Sequence, residues 1–363
     1  MTMKRLRMAV IGVGALGRHH ARILSELDGV ELVAVADSQA DRGQEIAAKH
    51  QCRWVPDYRQ LLDKNSVDAV SVVVPTLAHR AVAGAFLENG IPTLVEKPLA
   101  GNVTQAKELV DLASRNDALL QVGHIERFNP AFQAAQKIIH SPKYLRCERT
   151  STYTFRSTDI GVVLDLMIHD IDLILSLVKS PLRKCEAFGI GVMGNHEDAA
   201  QARLYFENGC IADVTASRVS PVASRSMTAW SASGVVTVDM HLREVKRFAP
   251  SPVLLHGTPP LKLAAAPGTD LEALKRNVFG HFITTENPSV ELTGPDALTQ
   301  ELTEFAQCVK TGKNPCVTGK DAYAAMVIAD QVLRQIAAHQ WDGRPQGDTG
   351  PYPNTDLPLR KAS

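Results

Sequence analysis

The 363-residue sequence lacks a Cys-x-x-Cys pair; its six cysteines, Cys52, Cys147, Cys185, Cys210, Cys308 and Cys316, are scattered. The scatter argues against a structural zinc site and against a disulfide scaffold, and a reducing compartment, the cytoplasm, fits it best. An excess of one charge is missing too, since 39 basic side chains balance 39 acidic ones. No overall field draws the chain to nucleic acid or to an anionic membrane, so a polyanionic partner must be met by a local patch. There is also no long uninterrupted apolar run. The best candidate, Gly161 to Val178, contains Asp165, His169, Asp170 and Asp172, whose cost inside a bilayer would be prohibitive without partners. The short apolar run near the start meets glycines at once and ends in His19-His20, so it reads as a strand rather than a leader peptide. No internal repeat is visible. What remains is an ordinary globular composition, 45% hydrophobic and 21% charged, in a chain long enough for two domains.

The first third alternates β-rich runs (Met8 to Ile11, Leu32 to Ala36, Ala69 to Val74, Thr93 to Val95) with helix-patterned segments (Arg18 to Leu27, Ala40 to His50, His79 to Asn89). Alternation of this kind predicts parallel strands with crossover helices, an α/β fold. After Gln121-Val122-Gly123 the texture changes. From Lys184 to Val245 it is mostly strand-like, which predicts an antiparallel sheet. The expected domains are therefore 1–123, 124–340 and a Pro/Gly-rich tail, 341–363. Ala249 to Pro267, rich in proline and glycine, reads as a long loop, and Leu298 to Thr311 and Asp321 to Ala338 as helices.

Gly12-Val13-Gly14-Ala15-Leu16-Gly17 follows a strand and opens a helix. In that context the first glycine makes a tight turn, the second admits a pyrophosphate, and the third allows close helix–strand packing, with the phosphate at the helix N-terminus. Asp37 ends the second predicted strand, 20 positions beyond Gly17, which suits an acid that accepts hydrogen bonds from a ribose diol and repels a 2′-phosphate. NAD is favoured over NADP, although Arg42 lies near enough to leave the latter open. Pro75-Thr76-Leu77-Ala78-His79 and Glu96-Lys97-Pro98 each end a predicted strand, so three motifs meet at the carboxyl edge of one parallel sheet, where such sheets bind ligands.

Lys97 is kept extended by Pro98 and is aimed from the end of a strand. On the helix beginning near Gly161, Asp165, His169, Asp172 and Ser176 fall within a stripe about 60° wide, and nearly everything else is apolar except Asp170. This predicts a mostly buried helix presenting polar groups to a pocket, with Asp165 one turn from His169 and able to orient it. Asn195-His196-Glu197-Asp198 reads as a polar turn rather than a metal site, because consecutive residues do not converge on one ion. No metal is expected.

Taken together, Gly12-x-Gly14-x-x-Gly17, Pro75-Thr76-x-x-His79, Glu96-Lys97-Pro98 and Asp165-x-x-x-His169 resemble the glucose-fructose oxidoreductase and inositol dehydrogenase family over most of the chain, least at Ala249 to Val290 and the tail. The resemblance implies a second domain with a large, open, mostly antiparallel sheet whose outer face mediates dimer or tetramer contacts. It also implies an active-site role for Lys97 and a cis Lys97-Pro98 bond. Within the family, Gly123-His124-Ile125-Glu126-Arg127-Phe128-Asn129-Pro130 and Asp165-Leu166-Met167-Ile168-His169-Asp170-Ile171-Asp172 are most similar to members that oxidise UDP-N-acetylglucosamine, or its uronate, at the 3-hydroxyl. Met167 stands where glycine is common in the inositol and glucose branch.

The expected activity is therefore hydride transfer between NAD and a secondary hydroxyl of a sugar or nucleotide sugar. By this reading Gly12, Gly14, Ala15, Leu16, Gly17, Asp37, Pro75, Thr76, His79, Glu96 and Lys97 meet the cofactor. Lys97, Arg127, Asn129, Arg156, Asp165 and His169 meet the substrate, with Arg146 and Arg149 as further sources of charge for a diphosphate. Lys97 or His169 removes the hydroxyl proton, and Glu96 positions Lys97. The rivals are a dehydrogenase of a free cyclitol or monosaccharide, an NAD-dependent glycosidase and a non-catalytic NAD-binding sensor.

Overall fold

The computed structural model describes residues 5–155, 158–194 and 196–342. The chain forms two units. The first gathers the residues up to Phe128 with Pro295–Gln331, and the second gathers Asn129–Gly294 with the residues from Val332 on. Among the described residues, no helix is long and apolar enough to cross a membrane.

In the first unit β1 (Leu6–Ile11), α1 (Gly17–Glu26), β2 (Val30–Ala36), α2 (Ala40–Lys49), β3 (Arg53–Val55), β4 (Ala69–Val72), α3 (His79–Glu88), β5 (Thr93–Glu96), α4 (Val103–Arg115) and β6 (Leu120–Gly123) follow one another. The six strands are parallel, in the order β3-β2-β1-β4-β5-β6. β4, β5 and β6 are buried at every position, as expected of parallel strands covered on both faces. This order reverses direction beside β1, and the reversal opens a crevice at the carboxyl edge.

The helix Ala297–Thr311 returns to this unit: Leu302, Phe305 and Ala306 share one apolar core with Met8, Val10, Leu24 and Val35. A single boundary near residue 124 does not provide for that return, because the apolar face of this helix carries no mark of which core it will join.

The second unit begins with α5 (Pro130–Gln136) and β7 (Tyr144–Thr150). A π-turn (Val163–Met167) then runs directly into α6 (Ile168–Val178). Seven strands follow: β8 (Leu182–Ile190), β9 (Ala199–Phe206), β10 (Ile211–Ser217), β11 (Ser224–Ser231), β12 (Gly234–Asp239), β13 (Glu244–Pro250) and β14 (Ile283–Glu286). With β7 they form an eight-stranded sheet, β14-β13-β12-β11-β7-β10-β9-β8, in which only the β7–β10 pair is parallel. Between β13 and β14 the chain makes short helices at Pro252–His256 and Pro260–Ala265, inside the stretch Ala249 to Pro267 where a loop was expected, and at Leu271–Arg276 beyond it. Proline is pre-shaped for a first helical turn, so the prolines read as breakers instead start two of these helices. No residue of the three is buried.

Along β7 the side chains alternate, with Leu145, Cys147 and Arg149 buried on the inner face and Arg146 exposed on the outer one. The inner face receives α6, and there Arg149 forks onto Asp170, Nε to Oδ2 at 3.0 Å and Nη2 to Oδ1 at 2.8 Å. Arg149 is 3% exposed and Asp170 not at all. Neither charge could be left alone there, since breaking a buried pair by removing one partner costs about 3–5 kcal/mol. Arg149→Leu should therefore destabilise the protein by that amount in urea unfolding, whereas Arg149→Leu with Asp170→Leu should recover most of the loss. Additive losses in the double variant would refute the pairing as the source.

Candidate active site

The glycine loop is shaped for close approach. Gly12 has φ +87° and a Cβ there would lie 2.6 Å from the Val73 carbonyl oxygen, and a Cβ at Gly17 would collide with the Gly12 carbonyl. At Gly14 a Cβ would meet nothing within 4 Å, so its missing side chain leaves open space rather than room for the protein. The helix that follows, α1, has no side-chain cap, and its leading N–H groups are suited to a phosphate. Ala15 and Leu16 beside it are exposed. These features fit the pyrophosphate of a dinucleotide.

Asp37 ends the first crossover. Its Oδ2 accepts from the Val13 N–H (2.9 Å) and its Oδ1 from the Gln39 N–H (2.9 Å). Arg42 forks onto the same carboxylate at 3.1 and 2.8 Å. Burial disfavours the charge of Asp37, but Arg42 and the two backbone donors outweigh it and hold the carboxyl below its usual range. The glycine loop and the acid are thus tied together directly. Arg42, the residue that left a 2′-phosphate open, has its guanidinium on Asp37.

At the ends of β4 and β5 the sequence-derived residues divide. Lys97 is half-buried at the carboxyl edge, and the Lys97-Pro98 peptide is cis. Thr76 is buried beside the exposed Pro75. His79 does not reach outward as a cofactor contact: it is 1% exposed, with Nδ1 2.8 Å from the Pro98 carbonyl oxygen and Nε2 2.9 Å from that of Val74. Burial pushes its pKa down more than these carbonyls raise it. The ring brackets the two strand ends.

Glu96 is likewise turned inward. Its Oε2 accepts from the Lys97 N–H at 3.2 Å, and its Oε1 lies 3.1 Å from Nε2 of the fully buried His20, whose Nδ1 is 2.9 Å from Ser71 Oγ. Gly123, at the end of β6, gives this carboxylate room, since a Cβ there would stand 2.9 Å from it. Sequence reasoning passed over His20 and Ser71. The available signal was a histidine three residues past Gly17 and a lone hydroxyl in the run Ala69-Val70-Ser71-Val72-Val73-Val74.

Glu301 was also missed, although it lies on the helical face of Leu298, Leu302 and Phe305. It is fully buried. Burial pushes its carboxyl well above the usual range, and the nearby charges of Glu96 and Glu304 push the same way.

In the second unit, Asp165 sits in the π-turn, partly exposed, and His169 follows on α6, 8% exposed. The expected stripe was drawn for a continuous α-helix; the π-turn adds a residue to its first turn, so Asp165 does not follow the regular 100° step. The helix is otherwise buried as expected, and Asp170, which broke the apolar pattern, is the partner of Arg149. Asp165 and Leu166 line a cavity of about 240 Å³ with Arg149, Tyr153, Arg218 and Arg225.

The other substrate candidates fare differently. Asn129 caps α5, its Oδ1 accepting from the Ala131 N–H (3.0 Å), and its Nδ2 donates to the Met240 carbonyl (3.1 Å), so its amide is engaged in the fold. Arg127 is partly buried on a short 3₁₀ turn of the first unit. Arg156 lies outside the described residues. Arg149 is held by Asp170, and Arg146 points to the outer face of the sheet.

Known proteins share the family and the fold of this chain. Residues 6–124 fit the oxidoreductase family with an NAD-binding Rossmann fold, and residues 134–236 fit the Gfo/Idh/MocA C-terminal domain. The UDP-N-acetylglucosamine 3-dehydrogenase of Acidithiobacillus ferrooxidans is 37% identical over 238 residues, 65% of this chain and 75% of its own. A crystal form of that enzyme, GnnA, superposes with a TM-score of 0.78 at 30% identity, covering 92% of this chain and 98% of that one. The scyllo-inositol 2-dehydrogenase (NAD⁺) of Bacillus subtilis is 27% identical over 335 residues, 88% of this chain and 90% of its own.

The raised carboxyl of Glu301 has a sign that can be checked. Between the unfolded pKa, near 4.3, and the higher folded one, the folded state holds the extra proton. Stability is then full below the unfolded value and falls as pH rises, by up to about 1.4 kcal/mol per pH unit from this group. Glu301→Gln should flatten that decline, so its urea midpoint should gain on that of the unsubstituted protein between pH 5 and pH 8. An unchanged slope would show that Glu301 is ionised.

Proposed function

The chain belongs to the Gfo/Idh/MocA oxidoreductase family and is an NAD-dependent dehydrogenase, and from that premise we propose that it oxidises the 3-hydroxyl of a UDP-N-acetyl-hexosamine or its uronate. The observation that carries the choice is the likeness to UDP-N-acetylglucosamine 3-dehydrogenase, which extends over 92% of this chain in three dimensions. The weaker likeness to an inositol dehydrogenase, 27% identical over 88% of this chain, makes a free cyclitol the second reading.

NAD, when bound, accepts the hydride from the carbinol carbon. The Gly12–Gly17 loop and the N-terminus of α1 would hold its pyrophosphate, and Asp37 would accept hydrogen bonds from the adenosine ribose. As the carbonyl forms, the hydroxyl proton needs an acceptor within hydrogen-bond reach. An imidazole accepts near neutral pH and an ammonium donates. His169 in the second unit, with Asp165 orienting it, is the acceptor by this reading, and Lys97 at the carboxyl edge of the first sheet is the candidate donor. Glu96 acts on Lys97 through the main chain, its carboxylate fixed by His20.

Reduced cofactor, followed by absorbance, should appear with UDP-N-acetylglucosamine and not with myo-inositol, scyllo-inositol or glucose. His169→Asn and Lys97→Met should each lower kcat/KM by about 10²–10⁴-fold. Activity on inositols alone would end the nucleotide-sugar reading, and full activity in either variant would end that residue's role.

The outer face of the second sheet presents Tyr144 stacked on Trp230 (centroids 4.9 Å apart) beside a cavity of about 590 Å³ that Trp230, Phe248 and Phe279 line. We propose that a second copy of the chain covers it, giving a homodimer or homotetramer. Sedimentation should report an oligomer that Trp230→Arg dissociates; a monomeric unsubstituted protein would refute this.

A further inference from the structure

The polar turn between β8 and β9 has no part in the chemistry above, yet it reaches the start of the helix that bears Asp165. Glu197 Oε1 accepts from the Val163 N–H at 3.1 Å, and the Glu197 carbonyl accepts from the Val162 N–H at 2.9 Å. The first N–H groups of a helix have no partner within it, and the π-turn has no side-chain cap of its own. A residue some 34 positions away in sequence therefore serves as the cap. Gly161 makes this possible, because a Cβ at that position would run into the Glu197 carboxylate.

A second set of bonds holds the turn from behind. Arg218 Nε donates to Asp198 Oδ1 at 2.7 Å, its Nη1 donates to the Ile160 carbonyl at 2.8 Å, and its guanidinium lies 5.4 Å from the Tyr153 ring centre. The other Asp198 oxygen accepts from the Val192 and Met193 N–H groups at 2.7 and 2.6 Å. Asp198 is fully buried and Arg218 6% exposed. Ile160, Val162 and Val163 are thus all bonded to a rigid frame built from the β8–β9 turn and the end of β10.

The anchoring matters because π-turns are rare, and they recur at functional sites. The π-turn holds one residue more than an α-helical turn would. If it relaxed to α geometry, the residues before it would rotate about α6 by about 100°. Asp165 lies inside this turn and His169 beyond it, so their mutual orientation depends on where the turn is pinned.

We propose that Glu197 is a positioning residue: by capping the π-turn it fixes Asp165 in the wall of the cavity that Tyr153 and Arg218 share, in the orientation His169 requires. This inference rests on the reading of Asp165 and His169 as the groups that handle the substrate proton.

The test is steady-state kinetics of the full-length protein with NAD and UDP-N-acetylglucosamine, alongside NAD affinity and thermal unfolding. Glu197→Ala should lower kcat by about 10²-fold, the scale of a misplacement of about 1 Å, with KM within about threefold and NAD affinity unchanged. Glu197→Gln keeps an oxygen for the Val163 N–H and should restore kcat to within about threefold of the unsubstituted rate. Should Glu197→Ala fail to fold, Glu197→Asp, which retracts the acceptor by one methylene, should give the same selective loss in kcat. A normal kcat in folded Glu197→Ala or Glu197→Asp protein would overturn the proposal, as would a Glu197→Gln variant no better than the alanine one. His169→Asn, run in parallel, separates the two ideas. If it retains full activity, the catalytic reading fails; if it is inactive while Glu197→Ala turns over normally, only the role of Glu197 fails.

Discussion

The requirement that a buried charge be paired organises the second unit of this protein. Arg149 on β7 and Asp170 on α6 are both withdrawn from water, and each is tolerable only because the other is there. Their two hydrogen bonds fix the rotation of α6 on the inner face of the sheet. That rotation decides where His169, one residue earlier, is presented. The same requirement applies to Asp198 and Arg218, which are paired, and Arg218 reaches the residue that precedes Gly161. A helix so largely apolar would have little to choose between neighbouring rotations on apolar packing alone; the paired charges specify one.

In the first unit the constraint is spatial as much as electrostatic. Gly12, Gly17 and Gly123 are positions where a methyl group would meet backbone or the Glu96 carboxylate. The space so released is used by the crossing of loop and helix in one case and by the His20–Glu96–Lys97 chain of contacts in the other. Gly14 differs in facing open space, where a Cβ would meet nothing within 4 Å. Asp37 links the loop and the ligand, since its carboxylate accepts from the Val13 N–H of the glycine loop and, by the proposed reading, also takes the ribose.

Much of this was legible in the sequence. The parallel sheet follows from β-rich runs alternating with helices, and the glycine loop and Asp37 from their spacing, because those signals are local. The helix bearing Asp165 and His169 could be recognised as buried because its polar residues are so few. What stayed hidden were partnerships between distant residues: Asp170 looked like a flaw in the stripe until Arg149 was seen opposite it, and Glu197 looked like a solvated turn until its carboxylate was seen on Val163. His79 and Asn129 show the converse. Their positions in the motifs suggested ligands, whereas their side chains are engaged with backbone groups that hold the motifs in shape. The return of Leu302 and Phe305 to the first core had no local sign at all.

The account turns on a single bond being broken, the C3–H bond of a nucleotide-linked sugar. UDP-N-acetylglucosamine carrying deuterium at C3 alone, incubated with the enzyme and NAD, tests it directly by mass spectrometry of the reduced cofactor. One deuterium should appear in the cofactor, and the sugar should lose it. Reduced cofactor without deuterium, from a sugar that keeps its label, would contradict the assignment.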